Sequence, residues 1–228
     1  MSDGPMIGTL QERSLHASLK ELYLTGDARA EVTVDSFVVD IVKNGLLIEI
    51  QTGNFASIKS KLFSLIKNHS VKLVYPIPMK KWIVKETPDG GRELSRRLSP
   101  KKGRFEDIFE ELVRFPNYIT HPNFSIETLL IEEEEIRRND GKGSWRRRGW
   151  STIDRRLIEV LDAQQYHESS DFLHFIPDSL EKPFTNAELV EVLGISKRLG
   201  QKLTYCLRKM NALKVVGKKG NALLHDLS

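Results

Sequence analysis

The sequence predicts an α+β/α/β protein: a mixed β-sheet flanked by helices, followed by a small C-terminal unit of helix, turn, helix and hairpin. Three observations carry this expectation. Residues 30–51 are rich in β-branched side chains and contain Asn44-Gly45, the strongest short hairpin signal. Amphipathic helical stretches lie on either side of that segment. The chain beyond Phe184 changes character, to two short helical patterns and a basic Gly-rich hairpin.

Each element has its own signal. Thr9 and Glu12 form a capping-box pattern, and Leu15, Leu19, Leu22 and Tyr23 give the apolar face of a first helix that Gly26 would stop. Residues 30–51 read as strands around Asp35-Ser36 and Asn44-Gly45. The span 54–69 is an amphipathic helix, with Phe55, Ile58, Leu62, Leu65 and Ile66 facing inward. Val71 to Ile77 and Trp82 to Glu86 read as two further strands, the second leading into the Asp89-Gly90-Gly91 turn. Phe105 to Phe115 reads as helix, and Ser125 to Arg138 as a strand entering a charged hairpin. Ser151 to Gln164 reads as a helix capped by Ser151 and Asp154. The acidic run Glu132 to Glu135 is expected as a solvated strand end, and Ser169 to Pro183 as a linker. Thr185 and Glu188 then open a helix, Gly194 to Ser196 turns, Lys197 to Met210 is a second helix, and KVVGKKGNALLHDL closes as a hairpin. That order is the pattern of a winged helix-turn-helix. The expected organisation is a core over 1–86, a basic region over 87–182 that extends it and ends in the linker, and a winged-helix module over 183–228.

Composition narrows the function classes. Hydrophobic residues at 39% and charged residues at 29% fit a globular chain rather than a disordered one. No apolar run approaches the ~20 residues a bilayer span needs, so no membrane partner is expected. The first residues lack a basic segment followed by an apolar one, and Cys206 is the single cysteine, so no intrachain disulfide forms. A cytoplasmic protein without a multi-cysteine zinc site is expected. The net charge of +4 conceals strong segregation: residues 80–104 and 137–156 are each net +6, and residues 197–220 are net +8. Such stripes are the footprint of a nucleic-acid binder. Candidate contacts are Arg96, Arg97, Lys101 and Lys102, then Arg146, Arg147 and Arg148, which alternate with Trp145 and Trp150 in GSWRRRGW. Tryptophan faces stack on bases or pack in cores. On the last helix Leu199, Leu203, Cys206 and Met210 form an inner stripe. Lys197, Arg198, Gln201, Lys202, Tyr205 and Arg208 then face outward, with Lys218 and Lys219 at the hairpin tip. DNA is the expected partner, and RNA the alternative that charge does not distinguish.

The chemistry concentrates at one pair of acids. A two-residue turn at Asn44-Gly45 pairs Lys43 with Leu46, Val42 with Leu47 and Ile41 with Ile48, so Asp40 opposes Glu49. Gln51 projects to the same face, and Val39, Ile41, Ile48 and Ile50 to the other. Opposed carboxylates repel, and a hard cation such as Mg²⁺ or Mn²⁺ would relieve the repulsion. A turn at Asp35-Ser36 would set Glu31 against Asp40 as a further ligand. Glu12 shares a helical face with Leu15, Leu19 and Tyr23, and is either a third carboxylate at the metal or simply the capping-box acid.

Helix, then a meander carrying Asp40 and Glu49-Ile50-Gln51, then helix and strand, resembles the PD-(D/E)XK nuclease superfamily and its restriction-endonuclease-like core over residues 9–86. The resemblance implies that Asp40 and Glu49 bind the metal, that Gln51 stands where lysine is usual, and that Glu12 matches an acid some members carry on the first helix. Val39 replaces the proline that commonly precedes the aspartate. Gln51 cannot accept a proton, although it can orient water. The implied function is a metal-dependent DNA endonuclease with catalytic residues Asp40, Glu49, Gln51 and Glu12, acting through Mg²⁺ or Mn²⁺; many nucleases of this kind act as a homodimer, though no residue here demonstrates one. The alternative is a catalytically inactive DNA-binding regulator on the same fold.

Overall fold

The computed structural model describes residues 14–228. Its larger sheet begins as a meander of β1 (Arg29–Val34), β2 (Phe37–Lys43) and β3 (Leu46–Ile50). Both connections are two-residue turns with left-handed backbone, at Asp35 (φ 46°), Ser36 (φ 67°), Asn44 (φ 49°) and Gly45 (φ 78°). These are the conformations that a type I′ hairpin demands. The registers expected from them hold, with Lys43 opposite Leu46, Ile41 opposite Ile48 and Val34 opposite Phe37.

Helix α2 (Phe55–Leu65) crosses from β3 to the parallel β4 (Val71–Glu86), which is flanked by the parallel β6 (Phe124–Asn139). Antiparallel β7 (Trp150–Tyr166) closes that side, and β5 (Glu93–Leu98) folds back on the far half of β4. The order is β1-β2-β3-β4-β6-β7 with β5 beside β4. Parallel strands bury both faces, and here each face has its own cover. On one, α1 (Ser14–Tyr23) lays Leu15 and Leu19 against Ile41, Ile48, Ile50, Val74, Leu129 and Ile131. On the other lie α2, the single turn α3 (Phe109–Leu112), and a dense aromatic group that includes Phe55, Phe115, Phe124, Tyr166 and Phe172.

The C-terminal segment adds α4 (Asn186–Leu193), α5 (Lys197–Lys209) and a small sheet of β8 (Phe184–Thr185), β10 (Ala222–Leu227) and β9 (Leu213–Lys219). The capping box forms as expected: Thr185 Oγ1 accepts the Glu188 N–H at 3.3 Å, and the Glu188 carboxylate accepts the Thr185 N–H at 2.7 Å. Leu189, Leu199, Leu203 and Cys206 bury into the same apolar cluster that covers the large sheet. The two sheets therefore share one core.

Four expectations are corrected. Residues 71–86 form one strand rather than two. Pro76 and Pro78 are tolerated because β3 pairs only up to Val74 and β5 only from Trp82, so the missing N–H groups fall where β4 has a single neighbour. Residues 151–164 are strand β7, not helix. Ile153, Leu157 and Leu161 imitate a helical stripe, but the ladder along β6 wins, and three register shifts scramble its two-residue alternation. Ser151 instead donates to Asp140 at 2.8 Å, and Asp154 accepts from Ser14. Residues 169–183 are no free linker, since Phe172, Phe175, Ile176 and Leu180 are buried in the shared core. The acidic run is not a solvated end either, because Glu133 and Glu135 are buried. Among the described residues no helix is long and apolar enough to cross a membrane.

Candidate functional site

Strands β2 and β3 diverge at Asp40. The ladder runs from Lys43–Leu46 to Ile41–Ile48, and where Asp40 and Glu49 would follow, the Asp40 carboxylate takes the Ile50 N–H at 2.8 Å. Side-chain alternation along β2 breaks at the same residue. Ile41 packs with Ile48 and Ile50 under α1, whereas Val39 packs on the α2 side with Leu47. The expectation that Val39 shares a face with those isoleucines is thereby corrected.

The two acids are engaged by different helices. His16 Nε2, from α1, lies 3.3 Å from Asp40 Oδ2 and 3.0 Å from the Ile50 carbonyl oxygen. Lys61 Nζ, from α2, lies 2.5 Å from Glu49 Oε1 and donates to the Val38 carbonyl. Asp40 is thus engaged from the α1 side and Glu49 from the α2 side, near enough for the Asp40 charge to be felt at Glu49. Their electrostatic fates differ. Burial first, and then the charge of Asp40, push the Glu49 carboxyl up to about 7 against the pull of Lys61. Burial also presses Asp40 upward, but hydrogen bonds from His16 and the Ile50 N–H, with the charges of His16 and Lys61, hold it below the usual carboxylate value. Paired acids driven apart in this way can take different roles, one ionised and one titrating near neutrality.

The other expected site residues fall elsewhere. Gln51 donates through Nε2 to the Gly53 carbonyl, with Asn54 O and Ser57 Oγ each at 3.3 Å, so its amide ties the β3–α2 connection. Glu31 lies opposite Asp40 in register, between the Ala30–Ile41 and Val32–Val39 pairs. However, its backbone is left-handed (φ 53°), and its largely exposed side chain pairs with Lys20 Nζ at 3.0 Å. It does not join the two acids. Glu12 lies outside the described residues. Sequence reasoning missed Lys61 and His16. Their only signal was position, each bordering the apolar face of a helix that covers the sheet. Among the described residues no group of three or more His, Cys, Asp or Glu is placed to hold a metal. Asp40 and Glu49 alone suit Mg²⁺, which takes one or two carboxylates together with waters and substrate phosphates, provided that Lys61 yields Glu49.

Three of the expected nucleic-acid contacts are closely paired with carboxylates of the fold. Arg96 Nε donates to Glu134 at 3.0 Å and stacks its guanidinium over Trp82. Lys202, expected to face outward, is turned onto α3, where it pairs with Glu110 at 2.5 Å. Lys219 pairs with Glu188 at 2.9 Å. Arg97, Lys101, Lys102, Arg146 and Arg148 stay exposed, as do Lys197, Arg198 and Lys218, while Arg147 reaches back to Thr152 at 3.1 Å. Gln201, Tyr205 and Arg208 line a groove of about 790 Å³ between α4, α5 and β10.

Fold and site together define an α+β domain with an electrostatically split carboxylate pair, Glu49 buried and Asp40 half-buried, beside a lysine, and with basic surface on β5, the β6–β7 tip and α5. By sequence the chain belongs to the family described as "Domain of unknown function (DUF8091)", which matches residues 13–167. It is also similar to an uncharacterized protein of Treponema pallidum (strain Nichols), at 29% identity over 186 residues, covering 81% of this chain and 74% of that protein. No solved structure matches.

Proposed function

We propose that the protein is a Mg²⁺- or Mn²⁺-dependent DNA endonuclease of the PD-(D/E)XK kind, with a restriction-endonuclease-like core and a winged-helix DNA reader over residues 183–228. The observation that supports this reading best is the Asp40–Glu49 pair, a half-buried and a buried acid of opposite displacement at the divergence of β2 and β3. Asp40 and Glu49 would hold the cation, which would supply a lowered pKa for bound water and stabilise charge at the transferring phosphoryl group. Lys61, held between Glu49 and the Val38 carbonyl, would place an ammonium beside the scissile phosphate, a charge that Gln51 cannot supply. Gln51 keeps the β3–α2 loop closed around the site. His16 anchors Asp40 and the Ile50 carbonyl, so that the carboxylate keeps its place at the divergence of the two strands. A homodimer would bring one such site to each strand of a duplex.

One observation favours a second reading. Lys61 already neutralises Glu49, and the Gln51 amide is consumed by the loop. A site stabilised in this way suits a DNA-binding protein that has kept the fold without the chemistry. Incubating supercoiled plasmid with wild type and Asp40→Asn, with and without Mg²⁺ or Mn²⁺, separates the two. Cleavage by wild type alone supports the nuclease. Its absence on duplex, branched and single-stranded DNA supports the binder.

A further inference from the structure

The long β6–β7 hairpin ends in a built loop. Gly141 (φ 75°), Arg148 (φ 49°) and Gly149 (φ 81°) take left-handed backbone, and the Gly143 N–H donates to the Gly149 carbonyl at 3.3 Å. Gly143 presses so close to the strand that an added Cβ would lie 2.2 Å from the Trp150 carbonyl oxygen. Within this loop one short turn, Trp145–Arg147, has none of its residues buried. The three tryptophans of the chain then separate by environment. Trp82 donates its indole N–H to Glu132 and lies under Arg96, and Trp150 lies under Lys85. Trp145 is 83% exposed, with the Arg146 guanidinium 5.6 Å from its ring. Of the three, Trp145 alone is open to solvent, and an exposed indole face on a basic loop is a platform on which a base can stack.

Two residues along the same turn, Arg147 lines a cavity of about 220 Å³ whose other charged walls are Lys81, Lys101, Arg137, Glu135 and Asp107. The Glu135 carboxylate is already occupied by Lys81 at 3.0 Å, Arg137 at 2.7 Å and the Thr152 hydroxyl at 2.9 Å. Four cations against two carboxylates leave the cavity an excess of positive charge, suited to a phosphate. A network also joins it to the candidate site: Lys81 touches Glu133, Glu133 is held by Arg155, and Arg155 reaches the Thr52 carbonyl beside Gln51.

The geometry points to a binding site for an unpaired nucleotide, with its base stacked on Trp145 and its phosphate in the Lys101–Arg147 cavity. This rests on the nucleic-acid reading above and deepens it, since the bases inside a duplex are covered on both faces by their neighbours and offer none to an exposed ring. The hairpin tip would therefore favour single-stranded or junction-bearing DNA.

Wild type, Trp145→Ala, Trp145→Phe and Lys101→Gln are to be titrated with single-stranded oligothymidylate and with a long duplex closed at both ends, such as covalently closed plasmid. Anisotropy and tryptophan emission are read across a salt series. With wild type, oligothymidylate should quench the exposed tryptophan emission, and that quench should be missing in both Trp145 variants. Trp145→Ala should bind the single strand roughly ten-fold more weakly, with the duplex changed less than about two-fold, whereas Trp145→Phe keeps most of the affinity. Lys101→Gln should lower the single-strand salt slope by about 0.7, the value for one phosphate contact. Trp145→Ala binding single strand as tightly as wild type, while wild type binds DNA, overturns the stacking site and leaves the broader reading standing. An unchanged salt slope in Lys101→Gln removes the phosphate cavity. Failure of wild type to bind either polymer overturns the nucleic-acid reading itself, and this inference with it.

Discussion

Replacing Glu49 by Gln should change the pH dependence of stability in a way that follows from the site's electrostatics. In the unfolded chain Glu49 ionises near 4.5, whereas in the fold burial and the Asp40 charge raise it to about 7. Between those values the native state binds more protons than the unfolded state, so stability contributed by this group is complete below about pH 4.5 and is lost as pH rises through about 7. The interval corresponds to about 3 kcal/mol. Glutamine keeps the shape and carries no charge, so the variant escapes that loss. Urea unfolding followed by circular dichroism at pH 5 and pH 8 measures it. The variant should be close to wild type at the lower pH and should gain on it by about 2–3 kcal/mol at the higher, while contributions from other groups cancel in the difference. Lys61→Met supplies a control, since without the ammonium Glu49 should rise further and the loss should extend to higher pH. A stability difference between Glu49→Gln and wild type that stays constant across this range would refute the buried-acid reasoning.

Two further outcomes are expected. Thr185→Ala removes one side of the capping box that opens α4 and should lower stability by about 1 kcal/mol, read as a shift in the urea midpoint without a change of slope. Reversing Lys197 and Arg198 to Glu should weaken duplex binding, and a steep salt dependence should flatten by about 0.9 per lost phosphate contact, because both residues are exposed and make no ion pair among the described residues.

What the sequence revealed of this molecule depended on how local the determining interaction was. Asn44-Gly45 sets its register through backbone conformations that few residues adopt, so the approach of Asp40 to Glu49 was readable from a dipeptide. The capping box at Thr185 and the buried stripe of α5 were readable for the same reason. Which helix reaches which acid was not, because His16 and Lys61 are delivered by α1 and α2, which cover opposite faces of the sheet. The charge windows misled for a related reason. Strands β4, β5, β6 and β7 lie side by side, so the acidic run 132–135 meets Lys80, Lys81, Arg96 and Arg155, residues that are remote from it in the chain. Much of the segregated charge is thus spent inside the fold, and the exposed remainder on β5, the β6–β7 tip and α5 is what a polyanion would meet. The β7 error has the same origin, a weak local periodicity overridden by a long partner strand.

The central claim is that Asp40 and Glu49 form a working metal-dependent cleavage site, and single-site substitution under matched DNA binding tests it most directly. Wild type, Asp40→Asn and Glu49→Gln are to be compared for Mg²⁺- and Mn²⁺-dependent cleavage of plasmid, branched and single-stranded DNA, with affinity measured in parallel in metal-free buffer. Wild type should cleave, and both variants should lose cleavage while binding DNA at least as tightly, since each substitution removes negative charge near the phosphate path. Cleavage that survives both substitutions, or that is absent from wild type on every substrate and with both metals, would contradict it.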